Sequence, residues 1–90
     1  MRVTISGAVS KLCPYRQELD VGRVTLELDV SDGDGPELHA VAAYLGAFAD
    51  RALSHEEFTR IVAADLAAGV VSTWTTAGLE VTCAVPRDVE

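Results

Sequence analysis

Positive charge is scarce in this chain. Seven Lys and Arg stand against fourteen Asp and Glu, a net charge of −7 over 90 residues. Nucleic-acid-binding surfaces gather Lys and Arg on one face. Here Arg2, Lys11, Arg16, Arg23, Arg51, Arg60 and Arg87 are dispersed. Broad phosphate binding is not expected, and composition points to a small neutral or cationic ligand. The aromatic pattern of an RNA recognition strand is missing, as is any glycine-rich phosphate fingerprint. Cysteine is limited to Cys13 and Cys83, too few for a disulfide scaffold. Neither lies in a Cys-x-x-Cys or Cys-x-x-His context, which argues against zinc. No run approaches a membrane span and the N-terminus has no secretory pattern. No linker, repeat or low-complexity tract divides the chain. The expectation is one domain over residues 1–90, in a reducing, cytoplasmic setting, without membrane or metal.

Hydrophobic residues are plentiful, at 49%, which fits a globular chain. Val3 and Ile5 alternate with Arg2 and Thr4, predicting a strand over 2–8. A loop over 10–21 carries Cys13. In 22–30, Val24, Leu26, Leu28 and Val30 alternate with Arg23, Thr25, Glu27 and Asp29, the pattern of a half-buried antiparallel strand. Ser31-Asp32-Gly33-Asp34-Gly35 is a turn cluster. Asp32 and Asp34 invite a calcium-loop reading, but the remaining ligands and the distal Glu are missing. Pro36 suits a first helical position. Leu38, Val41, Ala42, Leu45, Phe48, Ala49 and Ala52 then form one apolar stripe, predicting a helix of about four turns. Ser54-His55-Glu56-Glu57 is a capping box that opens a second helix, and Gly69 is expected to end it. Segments 70–76 and 79–85 form a hairpin across Ala77-Gly78, with Cys83 toward the core. The order is strand, strand, helix, helix, strand, strand. It makes an α+β domain with an antiparallel four-stranded sheet and both helices on one face. The two sheet edges are pairing surfaces, so a ring of copies joined edge to edge is expected.

Cys13 is the candidate nucleophile. A thiolate can attack a polarised carbon, and an acid/base group nearby can protonate what forms. Asp20, seven residues on, supplies such a carboxylate. The plainer alternative is a packed apolar Cys and a solvated Asp. His55 and Glu56 have plain readings too, as first-turn residues, with Glu56 complementing the helix dipole. Glu57 is assigned to the cap. His39 is given no role. Tyr15 and Trp74 are read as packing residues, with stacking on a heterocycle as the alternative.

Cys13-Pro14-Tyr15-x-x-x-x-Asp20 before an alternating strand resembles the nucleophile loop of the tunnelling-fold nitrile reductases of queuosine biosynthesis, the QueF and QueF-like enzymes. A second match is His55-Glu56 at the start of the second helix, followed by Ile61 and Asp65-Leu66. The resemblance covers residues 8–68. It implies a tunnelling fold and a 7-cyano-7-deazaguanine substrate. Cys13 would form a thioimide, Asp20 would shuttle protons, and Glu56 with His55 would bind the base. Glu37-Leu38-His39-Ala40 keeps only the Glu of the reductases' Glu-Ser-Lys-Ser segment, which serves the nicotinamide cofactor. Donors and charge for a dinucleotide phosphate are lost there. The chain also ends without the reductases' later Arg-Gly-Gly segment. In these respects, and in its short hairpin from Trp74 to Val81, it is closer to the amidinotransferase-like branch, which forms archaeosine by adding ammonia. The resemblance therefore implies no cofactor, and NADPH only if the chain is a reductase after all. It implies a homo-oligomeric ring or stacked rings, with Cys13 and Glu56 near a subunit interface. Free base, nucleoside, tRNA and DNA substrates stay open, the acidic charge weighing against tRNA. The alternative from another class is a non-catalytic purine- or pterin-binding module.

Overall fold

The structure, a computed structural model, describes residues 1–31, 33 and 35–87. Asp32 and Asp34, the acids of the calcium-loop reading, lie outside the described residues. The elements are β1 (Arg2–Leu12), β2 (Leu19–Asp29), α1 (Leu38–Gly46), α2 (His55–Leu66), β3 (Gly69–Thr76) and β4 (Leu79–Val85). The strands form one antiparallel sheet in the order β1-β2-β3-β4. This is the expected fold order.

Period-two alternation decides which face is covered. Val9, Lys11, Asp20, Val24, Leu26, Val70, Ser72 and Trp74 are buried on the helix side of the sheet. Leu45, Phe48, Phe58 and Val62 close the core from above. An edge-to-face aromatic series runs through it. Tyr44 meets Phe48 at 5.3 Å, Phe48 meets Phe58 at 4.9 Å, and Phe58 meets Trp74 at 5.2 Å between centroids. Such pairs contribute roughly 0.5–1.5 kcal/mol each beyond their buried area. The other sheet face is bare. Its register rows are Ser6, Thr25, Val71, Ala84 and Ala8, Arg23, Thr73, Thr82.

Several boundaries differ from expectation. β1 runs on to Leu12 and β2 begins at Leu19, so the connecting loop shrinks to residues 13–18. Cys13 N–H donates to the Glu18 carbonyl at 2.8 Å and closes it. α1 has nine residues, not four turns, and its N-cap is Glu37, so Pro36 precedes the helix instead of taking its first position. The stripe past Gly46 is real, since Phe48 is buried. However, the chain there is drawn into another partnership. Leu12 N–H donates to Arg51 O at 2.9 Å, and Leu53 N–H donates to Leu12 O at 3.1 Å. That short parallel bridge, Leu12 to Ala52, needs extended backbone and ends the helix early. α2 ends at Ala67, which takes the left-handed conformation at φ 49°. Gly69 is instead the first residue of β3, packed against the Arg87 backbone. Cys83 lies opposite Ser72 on the helix side but is only half-buried, because β4 is an edge strand.

Candidate active site

Antiparallel pairing builds the site from the bottom. Lys11 is directly opposite Asp20, and Leu12 opposite Leu19. Alternation sends Lys11 and Asp20 to the helix side together. Cys13 is two residues beyond Lys11, roughly 7 Å along the strand direction, just past the end of β1 where its N–H bonds the Glu18 carbonyl. Cys13 is half-buried. Tyr15, at the tip of the loop, is 88% exposed and packs nothing.

Behind the loop is a buried ion pair. Lys11 Nζ donates to Asp20 Oδ2 at 2.8 Å. The Lys11 side chain is 0% exposed and that of Asp20 is 9% exposed. The ammonium also lies over the Trp74 ring, 4.7 Å from its centroid. Lys11 is the only lysine in the chain. It read in sequence as one dispersed cation among seven, and no pattern singled it out.

Trp74 is the platform of the site. Its ring is buried at 1% exposure, and it can approach β2 only because Gly22 faces it across the ladder. A Cβ on Gly22 would lie 2.6 Å from Trp74 Cε3. The His55 ring stacks on Trp74 at 5.0 Å with a 12° interplanar angle, so the packing reading of Trp74 holds. Three hydrogen bonds connect the pair from below. Trp74 Nε1 can only donate, and it donates to Ser72 Oγ at 2.9 Å. Thr59 Oγ1 donates to the His55 carbonyl at 2.7 Å. The 2.7 Å contact between Ser72 and Thr59 hydroxyls therefore has Ser72 as donor. Every hydroxyl in this chain of bonds is satisfied, as buried polar groups require.

Capping fixes where α2 begins, and hence where His55 and Glu56 are. Ser54 Oγ accepts from Glu57 N–H at 3.0 Å, and Glu57 Oε1 accepts from Ser54 N–H at 3.2 Å. Glu57 is thus the cap residue, as expected. Glu56 is exposed and makes no hydrogen bond or ion pair among the described residues. His55 Nε2 meets Thr76 Oγ1 at 3.2 Å, while its Nδ1 is buried without a partner among the described residues. Burial, and then the Lys11 cation, push the His55 pKa below its ordinary 6.5, opposed by the Asp20 and Glu56 carboxylates. The imidazole is accordingly favoured in its neutral form. Lys11, Asp20 and Glu56 thus all act electrostatically on His55, although Asp20 is 35 positions earlier in the sequence.

Elsewhere, Glu37 turns onto its own helix. Its carboxylate accepts from His39 N–H at 3.2 Å and Ala40 N–H at 2.6 Å, and meets His39 Nδ1 at 3.0 Å. The His39 side chain is otherwise 99% exposed. A cleft of about 630 Å³ opens between α1 and the β1–β2 pair, along Ile5, Val9, Leu38 and Val41. It is apolar, and Cys13, Asp20, His55 and Glu56 do not line it. The charged cluster, not this cleft, has the groups that chemistry needs. Among the described residues no three His, Cys, Asp or Glu stand together as metal ligands. No described helix is long and apolar enough to cross a membrane.

No protein-family model matches the sequence, and no curated protein matches it in sequence. A solved structure matches in fold. The crystal structure of an archaeosine synthase QueF-Like in the apo form superposes with a TM-score of 0.83 at 18% identity, over 99% of this chain and 96% of that one. At this identity the likeness speaks for the backbone, and the chain has the tunnelling fold of that QueF-Like protein.

Proposed function

We propose that this chain is an enzyme that converts the nitrile of 7-cyano-7-deazaguanine, free or nucleic-acid-linked, through a thioimide on Cys13. The observation that carries the reading is convergence. The Cys13–Asp20 loop and the His55–Glu56 helix start are remote in sequence. The Leu12–Ala52 bridge, the Trp74 platform and the Lys11–Asp20 pair bring them to one end of the sheet. The fold neighbour, an archaeosine synthase, supports the same substrate class.

The Cys13 thiol proton passes to Asp20 as sulfur attacks the nitrile carbon. Asp20 returns that proton to the nitrile nitrogen, which leaves a neutral thioimide. Ammonia then adds to the thioimide carbon, the C–S bond breaks, and an amidine leaves with Cys13 restored as a thiol. A positioned carboxylate is suited to both transfers. Glu56 accepts from the donor edge of the guanine-like base, beside neutral His55. Ammonia is favoured over hydride by Glu37. Its carboxylate occupies the N-terminal N–H groups of α1, the place where a cofactor phosphate would need donors.

Assembly follows from the same sheet. β1 and β4 are edges, and the bare face is rich in Ser, Thr and Ala. Joining edges in a ring removes them and closes the sheet into a barrel. A neighbouring copy would then close the base pocket over Cys13 and Glu56.

Intact-mass measurement after incubation with 7-cyano-7-deazaguanine tests the reading. One adduct per chain is expected, lost in Cys13→Ala and kept in Cys83→Ser. Adding ammonia should release the amidine and the free thiol. An adduct that survives Cys13→Ala refutes the nucleophile. Binding with no adduct in the wild type favours the non-catalytic module.

A further inference from the structure

We propose that Lys11 is a positioning residue for the acid/base group. It holds Asp20 as a carboxylate with one oxygen committed, so that the other exchanges protons with Cys13. This rests on the thioimide reading above.

The first support is placement. Lys11 contacts Asp20 through Oδ2 alone, and among the described residues no hydrogen bond reaches Oδ1. The Lys11 side chain is 0% exposed and the Asp20 side chain 9%, so the carboxylate is the outward end of the pair. Asp20 is two ladder rows from Cys13, whose N–H closes the same strand end onto the Glu18 carbonyl.

The second support is cost. An ion pair buried in a small core gains little stability over an apolar pair of similar volume. This domain has only 90 residues from which to build its core, and it gives a fully buried site to its only lysine. Lys11 makes no other ion pair among the described residues, so Asp20 and the Trp74 face are its direct partners.

The third is rigidity. A lysine stem is flexible, and proton transfer needs a fixed partner. Strand pairing fixes the Lys11 backbone, and the Trp74 ring fixes its head. Trp74 is in turn held by Ser72 and His55. The charged and titratable groups that interact with Lys11 from the packed elements are Asp20 on β2 and His55 with Glu57 on α2.

Removing the cation leaves a carboxyl group in apolar surroundings, where burial favours its neutral form. A neutral Asp20 cannot accept the thiol proton. In Lys11→Met, thioimide formation from 7-cyano-7-deazaguanine at pH 7 should slow by ~10–100-fold, the range of a lost acid/base contribution. The low-pH limb of its pH–rate profile should move to higher pH, and Lys11→Arg should move it back. A purely structural role predicts a uniform loss with the limb in place, and that result in a folded Lys11→Met protein overturns the proposal. If Lys11→Met does not fold, a carboxyl-carbon NMR titration of the wild type decides. Asp20 should be a carboxylate throughout the pH range in which Cys13 reacts, and a protonated Asp20 there overturns it. Iodoacetamide alkylation of Cys13 separates the two readings. If the wild type forms no thioimide, the thioimide reading fails. An alkylation profile that moves to higher pH in Lys11→Met still supports the Lys11–Asp20–Cys13 linkage. Superimposable profiles overturn it.

Discussion

Replacing Gly22 by alanine places a methyl group where the fold has no room. The new Cβ would lie 2.5 Å from the Thr73 carbonyl oxygen, 2.6 Å from Trp74 Cε3 and 2.9 Å from Trp74 Cδ2. Thr73 O belongs to the strand next in the ladder, and Trp74 is wholly buried, so neither neighbour can swing aside. Two terms oppose each other. Gly22 has no left-handed φ, so alanine fits its backbone and should stabilise by about 0.4–1 kcal/mol through the unfolded chain. Overpacking a fitted core costs about 1–3 kcal/mol and at times more. The clash involves backbone and a rigid ring, so the steric term wins, for a net loss of about 1–2 kcal/mol. In a domain this small each kcal/mol moves Tm by about 4–8 °C. Gly7 is the internal control. It lies on the same strand pair with nothing within 4 Å of a new Cβ, so Gly7→Ala should raise Tm slightly. Calorimetry gives both signs. Trp74 is the only tryptophan in the chain, so its emission reports directly whether the platform has moved. A Gly22→Ala protein that melts at or above the wild type, with unchanged emission, would refute this account of the packing.

The pH dependence of stability should show two stages. The folded-state pKa of His55 is below 6.5, so the unfolded chain binds more protons in the window just below 6.5, and stability falls as pH drops through it. Glu37 and Glu57 are lowered from 4.5, Glu37 first by the His39 side chain and Glu57 first by the Ser54 backbone N–H. Their contributions are present above 4.5 and are lost as pH falls below it. Thermal melts from pH 8 to pH 3 should show both stages, with His55→Gln flattening the first. A first stage that persists in His55→Gln assigns it to other groups. Ser54→Ala removes the N-cap and should cost about 0.5–2 kcal/mol, and a melt unchanged within error contradicts the capping geometry. Calorimetric titration should find NADPH binding weak or absent. Micromolar affinity with substrate-dependent oxidation would restore the reductase alternative. Light scattering should find a homo-oligomer, and a dilute monomer that forms the adduct at full rate would show that the pocket is not shared.

What was legible in the sequence was whatever depends on neighbours in the chain. Alternation in 22–30 marked β2, Ser54 and Glu57 marked the start of α2, and Ala77-Gly78 marked the last turn, because strand pleat, cap and hairpin are local devices. The helix that stopped short shows the limit. Its apolar stripe continues through Phe48, but Leu12, forty residues earlier, recruits Arg51 and Leu53. No window on the helix contains that information. Gly69 looked like a helix terminator, yet Ala67 takes the left-handed turn and Gly69 opens the next strand. Cys13, Asp20, His55 and Glu56 were legible as motifs. Lys11 was not, because a lone lysine beside a loop is ordinarily a solvated charge, and only the register with Asp20 reveals a buried one.

The site gains from being built at the end of the sheet where three independent restraints meet. The Leu12 bridge fixes the chain entering α2, the Ser54–Glu57 box fixes the first turn, and Thr59 with Ser72 ties the His55 backbone to Trp74. None of these bonds uses Cys13 Sγ, Asp20 Oδ1 or the Glu56 carboxylate. Among the described residues those three groups are thus free of structural duty, whereas His55, proposed to stand beside the base, also stacks on Trp74. Lys11 likewise has two parts, since its charge is both buried structure and the partner of the acid/base group. A substitution there should therefore affect melting and pH–rate profile together, whereas Ser54→Ala should affect melting far more than the position of the profile. That contrast separates a residue that tunes the carboxylate from one that only supports the fold.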